Sequence, residues 1–209
     1  MPIVPAHGDP PPATAVQLAV HALVSGQVVA LPTDTVYGLA ADPFSTGGAD
    51  RLFALKRRPR EVDLPVLVAD EEQALALATA VPSSARCLME AFWPGALTVV
   101  LPRRPDLSAD LGADEATVGV RCPAHPVPLA VCRAHGPIAT TSANLHGQPT
   151  LTTAAEVAAV FGDSLAVVLD GGPSSGAPST VVDCTGEEPR LLREGCLPWT
   201  DILAAAAAG

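Results

Sequence analysis

A chain of 209 residues fits one domain able to bury a sizeable core of its own. With 22 acidic against 12 basic residues the net charge is −10, which excludes a generic polyanion binder and makes any contact with nucleotide or nucleic acid a local one. Hydrophobic residues make up 48 % of the chain but include only four Phe, two Trp and one Tyr, so the core must be Ala, Val and Leu.

Five cysteines, at 87, 122, 132, 184 and 196, show neither a CxxC nor a paired Cys/His spacing. An odd, scattered set reads as reduced thiols in a cytoplasmic protein, not as a disulfide framework or zinc site. The Pro-rich start, residues 1–12, has no basic region of a signal peptide. The longest apolar stretch, 16–31, is broken by Gln17, His21, Ser25, Gly26 and Gln27, too polar to span a bilayer. The chain holds one lysine (Lys56), one tyrosine (Tyr37) and one asparagine (Asn144). Such poverty suggests a GC-rich genome, and the survivors are candidates for positions nothing else can fill.

In chain order, residues 1–13 read as a flexible Pro-rich lead-in. Thr14 can cap a helix whose apolar face is Val16, Ala19, Val20, Leu23 and Val24, ended by Gly26. Residues 28–31 read as a buried strand running into Pro32-Thr33-Asp34-Thr35. A helix around 50–55, a strand at 66–68 and helices near 71–79 and 83–92 follow. Strands are expected at 97–101, 117–121 and 138–141, with a helix over 127–134 between the last two. Thr153-Ala-Ala-Glu156 is a capping box opening a helix through Phe161. Strands at 166–169, 180–183 and 190–193 precede a final Ala-rich helix capped by Thr200. The alternation implies a three-layer α/β fold, mixed because the last strands have few helices between them. With no repeat and no linker, 14–209 reads as one domain.

Four segments gather polar residues where chemistry could sit. The run 31–39 places hydroxyls, a carboxylate and a glycine after a buried strand, where open α/β sheets bind ligands; an ordinary Asx/ST turn with Tyr37 in the core fits equally. Lys56-Arg57-Arg58-Pro59-Arg60 clusters four of the twelve basic residues, which invites an anion or else marks a solvated helix end. Thr140-Thr-Ser-Ala-Asn144 offers donors and an acceptor suited to phosphate or carboxylate oxygens, or merely caps a loop. The fourth is 178–183 with Arg193, which could bind substrate or pair with Asp183. His7, His21, His125, His135 and His146 stand at no ligand spacing, and neither a P-loop, a GxGxxG nor a GxSxG elbow occurs.

Taken in order, the runs 31–43 (LPTDTVYGLAADP), Lys56-x-Arg58-Pro59, 92–101 (FWPGALTVVL), 118–126 (VGVRCPAHP), 141–150 (TSANLHGQPT) and 179–195 (STVVDCT…LLREG) resemble the threonylcarbamoyl-AMP synthase family of the YrdC/TsaC type. The resemblance covers about residues 15–200 and fits the short, single-domain form. It implies a twisted open sheet around a basic cavity and a nucleotidyltransferase. In that reaction the threonine amine captures bicarbonate as a carbamate, which attacks the ATP α-phosphate and expels pyrophosphate. By position, Lys56, Arg58, Ser142 and Asn144 match the catalytic quartet around the nucleotide phosphates. Arg193 and Thr117 match further ATP contacts, and Thr35, Arg121 and Ser179 match positions around threonine. Mg²⁺ would arrive with ATP, with no tightly bound cofactor and no protein metal site. The product would pass to a downstream tRNA threonylcarbamoyltransferase complex, the chain itself binding tRNA weakly and no membrane. The segment 60–67 departs from the family's usual pattern, with Leu64-Pro65 in place of Pro-Leu and no histidine. Two other readings go with the same fold: a domain forming carbamoyl-adenylate from carbamoyl phosphate, and a non-enzymatic RNA-binding factor.

Overall fold

Alternating apolar residues on strands flanked by amphipathic helices require a sheet covered on both faces. A computed structural model shows this arrangement and describes residues 1–57, 59–145 and 147–207. The elements are β1 (Ile3–Pro5), α1 (Ala13–Val24), β2 (Val29–Leu31), β3 (Gly38–Ala41), α2 (Gly48–Lys56), β4 (Val66–Leu67), α3 (Glu71–Leu75), α4 (Ser83–Phe92), β5 (Leu97–Pro102), β6 (Thr117–Arg121), α5 (Pro126–His135), β7 (Ile138–Ser142), α6 (Ala154–Phe161), β8 (Val167–Asp170), β9 (Thr180–Asp183), β10 (Arg190–Arg193) and α7 (Trp199–Ala206). Among the described residues ten strands form one open sheet in the order β1-β8-β2-β3-β7-β4-β6-β5-β9-β10. It is mixed: β8 runs parallel to β1 and β2, and β9 to β5, whereas β3 is antiparallel to both its neighbours.

The two faces carry separate cores. On one, Ala15, Ala19 and Leu23 of α1 and Val127 and Val131 of α5 cover Val29, Leu31, Ala40 and Ile138. On the other, Leu52 and Phe53 of α2, Leu88 and Met89 of α4, Val157 of α6 and Ile202 of α7 cover Ala30, Leu39, Val66, Leu97 and Val120. Neighbours Ala30 and Leu31 thus face opposite layers, as the two-residue strand period demands.

Several local expectations are corrected. The lead-in is not free: β1 pairs with β8, and Ala6 N–H donates to Asp170 O at 2.7 Å. Prolines around it are tolerated because β1 is an edge strand. Helix α1 starts at Ala13 behind Pro12 with no side-chain cap, so Thr14 lies inside it. Thr200 likewise lies inside α7, behind Pro198. Helix α3 is short, Glu71–Leu75, under an Asp70 cap that accepts from Gln73 N–H. Strand β3, Gly-Leu-Ala-Ala, has no sequence signal because its residues are poor strand formers. Pairing with β2 and β7 makes it a strand. The Thr153–Glu156 capping box is present as expected. No helix among the described residues is long and apolar enough to cross a membrane.

All five cysteines are free thiols, with Cys122, Cys132 and Cys184 buried, Cys87 intermediate and Cys196 exposed. Burial pushes the Cys122 thiol up to about 11 and Cys184 up to about 12, and raises Cys132 as well. Buried and protonated, these three should resist alkylation at pH 8. Mass spectrometry of native protein treated with iodoacetamide should find Cys196 labelled first and Cys87 more slowly, with the other three reacting only in denaturant.

Candidate active site

Residues 32–37 connect β2 to β3 and are stiffened from within. The Thr33 hydroxyl accepts from the N–H groups of Thr35 (3.1 Å) and Val36 (3.2 Å) and donates to Val36 O (2.7 Å). From outside, Ser174 Oγ donates to Thr33 O, Ser175 Oγ to Thr35 O, and Gly176 N–H to Thr35 O. Tyr37 is wholly buried, its hydroxyl donating to Gly172 O at 2.9 Å. So the turn and the core tyrosine are real, and the same turn also lines a cleft.

That cleft, about 210 Å³, lies across the sheet. Gly38 of β3, Leu67 of β4, Thr98 of β5, Arg121 of β6 and Ser142 of β7 all reach it, with Thr35, Ser179 and Arg193. Arg121 is 6 % exposed and held at three donors: Nε to Gly95 O (2.9 Å), Nη1 to Thr35 Oγ1 (2.8 Å) and Nη2 to Asp34 Oδ1 (2.7 Å). Burial pulls its pKa below the ordinary value, and the Asp34 charge opposes that pull.

Arg193 does not pair with Asp183, which takes Arg190 at 2.7 Å instead. A register shift between Leu191 and Arg193 re-aims the strand end. Arg193 Nη2 then donates to Ser179 O (2.9 Å) and Ser179 Oγ (3.1 Å). Although part of Arg193 meets solvent, enclosure lowers its pKa, and the nearby Arg121 charge lowers it further. Two guanidiniums facing one cleft leave room for an anion. The following turn is tight: a Cβ on Gly195 would lie 2.4 Å from Pro178 O and 2.5 Å from the Ser179 carbonyl carbon. Only glycine lets that backbone approach Ser179.

Lys56, the last residue of α2, is 2 % exposed. Its ammonium donates to Thr141 Oγ1 (3.0 Å), Ser142 O (2.7 Å), Ser142 Oγ (3.2 Å) and Asn144 Oδ1 (2.8 Å). Lys56, Ser142 and Asn144 are therefore brought together as expected, while Arg58 lies outside the described residues. Lys56 and Asn144 border a second hollow of about 560 Å³ with Arg57 and Leu145. Thr117 lines a third, of about 380 Å³, which shares Pro65, Thr98, Ser179 and Arg193 with the cleft. Pro65, in the segment that departs from the family pattern, is thus part of the wall between them.

The basic run is less uniform than its spacing suggests. Arg60 is spent on Asp50 (2.9 Å) and Asp110 (2.6 Å) and stacks over Phe53, so it serves the fold. Arg57 ends α2 in the left-handed region at φ 52°. His125 Nδ1 accepts from Val127 N–H and caps α5, and His135 faces Asp42 at 3.6 Å. His146 lies outside the described residues. Among those residues no group of three or more His, Cys, Asp or Glu could hold a metal.

Thr98 lines the cleft although its segment was not singled out. A threonine interrupting the apolar run 97–101 was the available signal for Thr98, whose Oγ1 lies 3.0 Å from Ser179 Oγ.

An open mixed sheet carrying a buried lysine and two guanidiniums beside hydroxyl-lined hollows is the layout of an α/β enzyme with room for an anion. A family model described as "Telomere recombination", that of Sua5, YciO and YrdC, matches residues 21–195. The threonylcarbamoyl-AMP synthase of Bacillus subtilis is 44 % identical over 83 % of this chain and 51 % of its own length. That of Klebsiella pneumoniae is 39 % identical over 88 % of this chain and 97 % of its own length. A crystal structure of Pyrococcus abyssi Sua5 with L-threonine superposes with TM-score 0.91 at 36 % identity, covering 98 % of this chain. This chain spans 61 % of that longer protein. The chain belongs to the Sua5/YciO/YrdC family.

Replacing Lys56 with Arg keeps the charge but puts a broad planar cation where a compact one meets four oxygens. We expect a loss of about 1–3 kcal/mol of stability by urea titration, from overpacking. Turnover should fall about tenfold or more, as for a misplaced contact to a charged transition state. Near-native turnover would reduce Lys56 to a structural tie.

Proposed function

We propose that this chain is a threonylcarbamoyl-AMP synthase, making threonylcarbamoyl-AMP and pyrophosphate from L-threonine, bicarbonate and ATP for tRNA modification. The observation that carries this reading is the pair Arg121 and Arg193 with Ser179 and Ser142 in one cleft, and Lys56 bonded to Ser142 and Asn144 on the adjoining hollow. The chemistry joins two anions. The threonine amine adds to bicarbonate, losing water, and a carbamate oxygen attacks the ATP α-phosphorus as the bond to the β-phosphate breaks. Pyrophosphate leaves with that electron pair, and no protein nucleophile is needed. The enzyme's task is to orient the anions and offset their repulsion with fixed cations and donors.

In this scheme Thr35, Arg121 and Ser179 hold threonine, with Arg121 meeting its carboxylate. Arg193, Thr117, Ser142 and Asn144 hold the nucleotide, with Lys56 and Arg58 as the cations at the phosphates. Lys56 meets the phosphates by exchanging some of its present oxygens for theirs, a swap between acceptors that leaves no charge bare. Mg²⁺ would come with ATP, held mainly by phosphates and water. A cytoplasmic location and hand-over to a tRNA threonylcarbamoyltransferase complex complete the reading.

Incubation with ATP should release pyrophosphate only when threonine and bicarbonate are both present, with a new adenylate seen by mass spectrometry. Release that is indifferent to bicarbonate, or that requires carbamoyl phosphate, would replace this reaction with the carbamoyl-adenylate one. The isolated protein should also bind tRNA weakly, with what binding exists disappearing between about 50 and 200 mM salt. Tight binding to tRNA in a filter assay at physiological salt would favour an RNA-binding role, against the charge of −10.

A further inference from the structure

The carboxylate paired with the Arg121 guanidinium belongs to Asp34, which is not among the residues lining the cleft. A guanidinium has five N–H groups. Three of those on Arg121 are taken by Gly95 O, Thr35 Oγ1 and Asp34 Oδ1, which leaves one on each Nη nitrogen. Gly95 and Thr35 offer neutral acceptors, so Asp34 supplies the charged contact, at 2.7 Å with a side chain only 17 % exposed. Hydrogen bonds between ionised partners are roughly twice as strong as neutral ones and more directional. Arg121 lines the cleft and Asp34 is not among the residues lining it, so the carboxylate does not occupy that space. Asp34 is itself fixed, because Ser175 Oγ donates to its carbonyl and the Thr33 turn closes around it. Without it, Arg121 would keep only two neutral acceptors, with the charge of Arg193 nearby and no carboxylate to offset it.

We propose that Asp34 is a positioning residue that holds the Arg121 guanidinium with its two remaining N–H groups presented to the α-carboxylate of the amino-acid substrate. This deepens the proposed function and rests on it for the identity of that substrate. The consequence is specific: Asp34 governs preference for a carboxylate, not affinity in general. Burial alone lowers the Arg121 pKa, and Asp34 opposes this, so the cation also stays charged beside its partner.

The test is calorimetric titration of wild type, Asp34→Asn and Asp34→Ala with L-threonine and with L-threoninamide, which lacks the carboxylate. A non-hydrolysable ATP analogue and a thermal melt serve as checks of the fold. Wild type should prefer threonine to the amide strongly. Asp34→Ala should lose at least tenfold of that preference while binding the ATP analogue within about twofold of wild type. Asp34→Asn keeps an acceptor for Nη2 and should fall between, losing about threefold or more. If Asp34→Ala does not fold, the Asn variant alone decides. A folded variant that retains the wild-type preference, or one that weakens threonine and the amide equally, overturns the assignment. Failure of wild type to bind threonine overturns the functional reading, and this assignment with it.

Discussion

An ammonium ion taken out of water must be given oxygens in place of those it leaves, or its burial costs several kcal/mol. That requirement at Lys56 ties the site to the fold. Its backbone position is set by α2, anchored on the sheet through Leu52 and Phe53. Its acceptors come from the end of β7 and the turn that follows, Thr141, Ser142 and Asn144. An ammonium has three protons, shared here among several neighbouring oxygens, so the turn is held from several directions. Asn144 in turn receives a bond from Ser142 Oγ at 2.7 Å. Helix packing on one layer therefore fixes where polar groups of the cleft wall stand.

The rest of the charge is sorted in a way that suits a small anionic ligand. Arg60, Arg86, Arg104 and Arg190 each meet a carboxylate near the surface, contacts worth little individually. Arg121 and Arg193 are kept at the cleft, where Asp34 pairs with Arg121 and Arg193 donates to Ser179. A surface that is acidic overall repels long polyanions, while a low-dielectric cleft with fixed cations draws in small ones. Acidity of the chain and basicity of the site are compatible because the field is local.

Legibility varied along the chain for physical reasons. Strands at 97–101, 117–121 and 180–183 were evident from compact apolar runs, and the Thr153–Glu156 box from side chains that cap their own helix. These signals are local. Strand β3 carried none, since Gly38, Ala40 and Ala41 become a strand only between β2 and β7. Strand β1 was hidden by its prolines, which an edge strand accepts and a central one would not. The helix starts at Thr14 and Thr200 were misplaced because a proline two positions earlier caps the chain geometrically in each case.

At the site, the sequence by itself determined which residue types were available and that they fell into ordered, polar segments. Through the family resemblance Lys56, Arg58, Ser142 and Asn144 were legible as one set, Thr35, Arg121 and Ser179 as another, and Arg193 and Thr117 as further nucleotide contacts. What it left open was which charge answers which. Arg193 could have paired with Asp183, and Arg60 could have joined the anion site. The bulge in β10 turned Arg193 to Ser179, and the approach of Asp50 and Asp110 took Arg60 into the scaffold. Asp34 gained its role only when β6 brought Arg121 to within 2.7 Å of it. Side-chain chemistry and local periodicity are written in consecutive residues, whereas an ion pair across 87 positions depends on where the sheet places its strands.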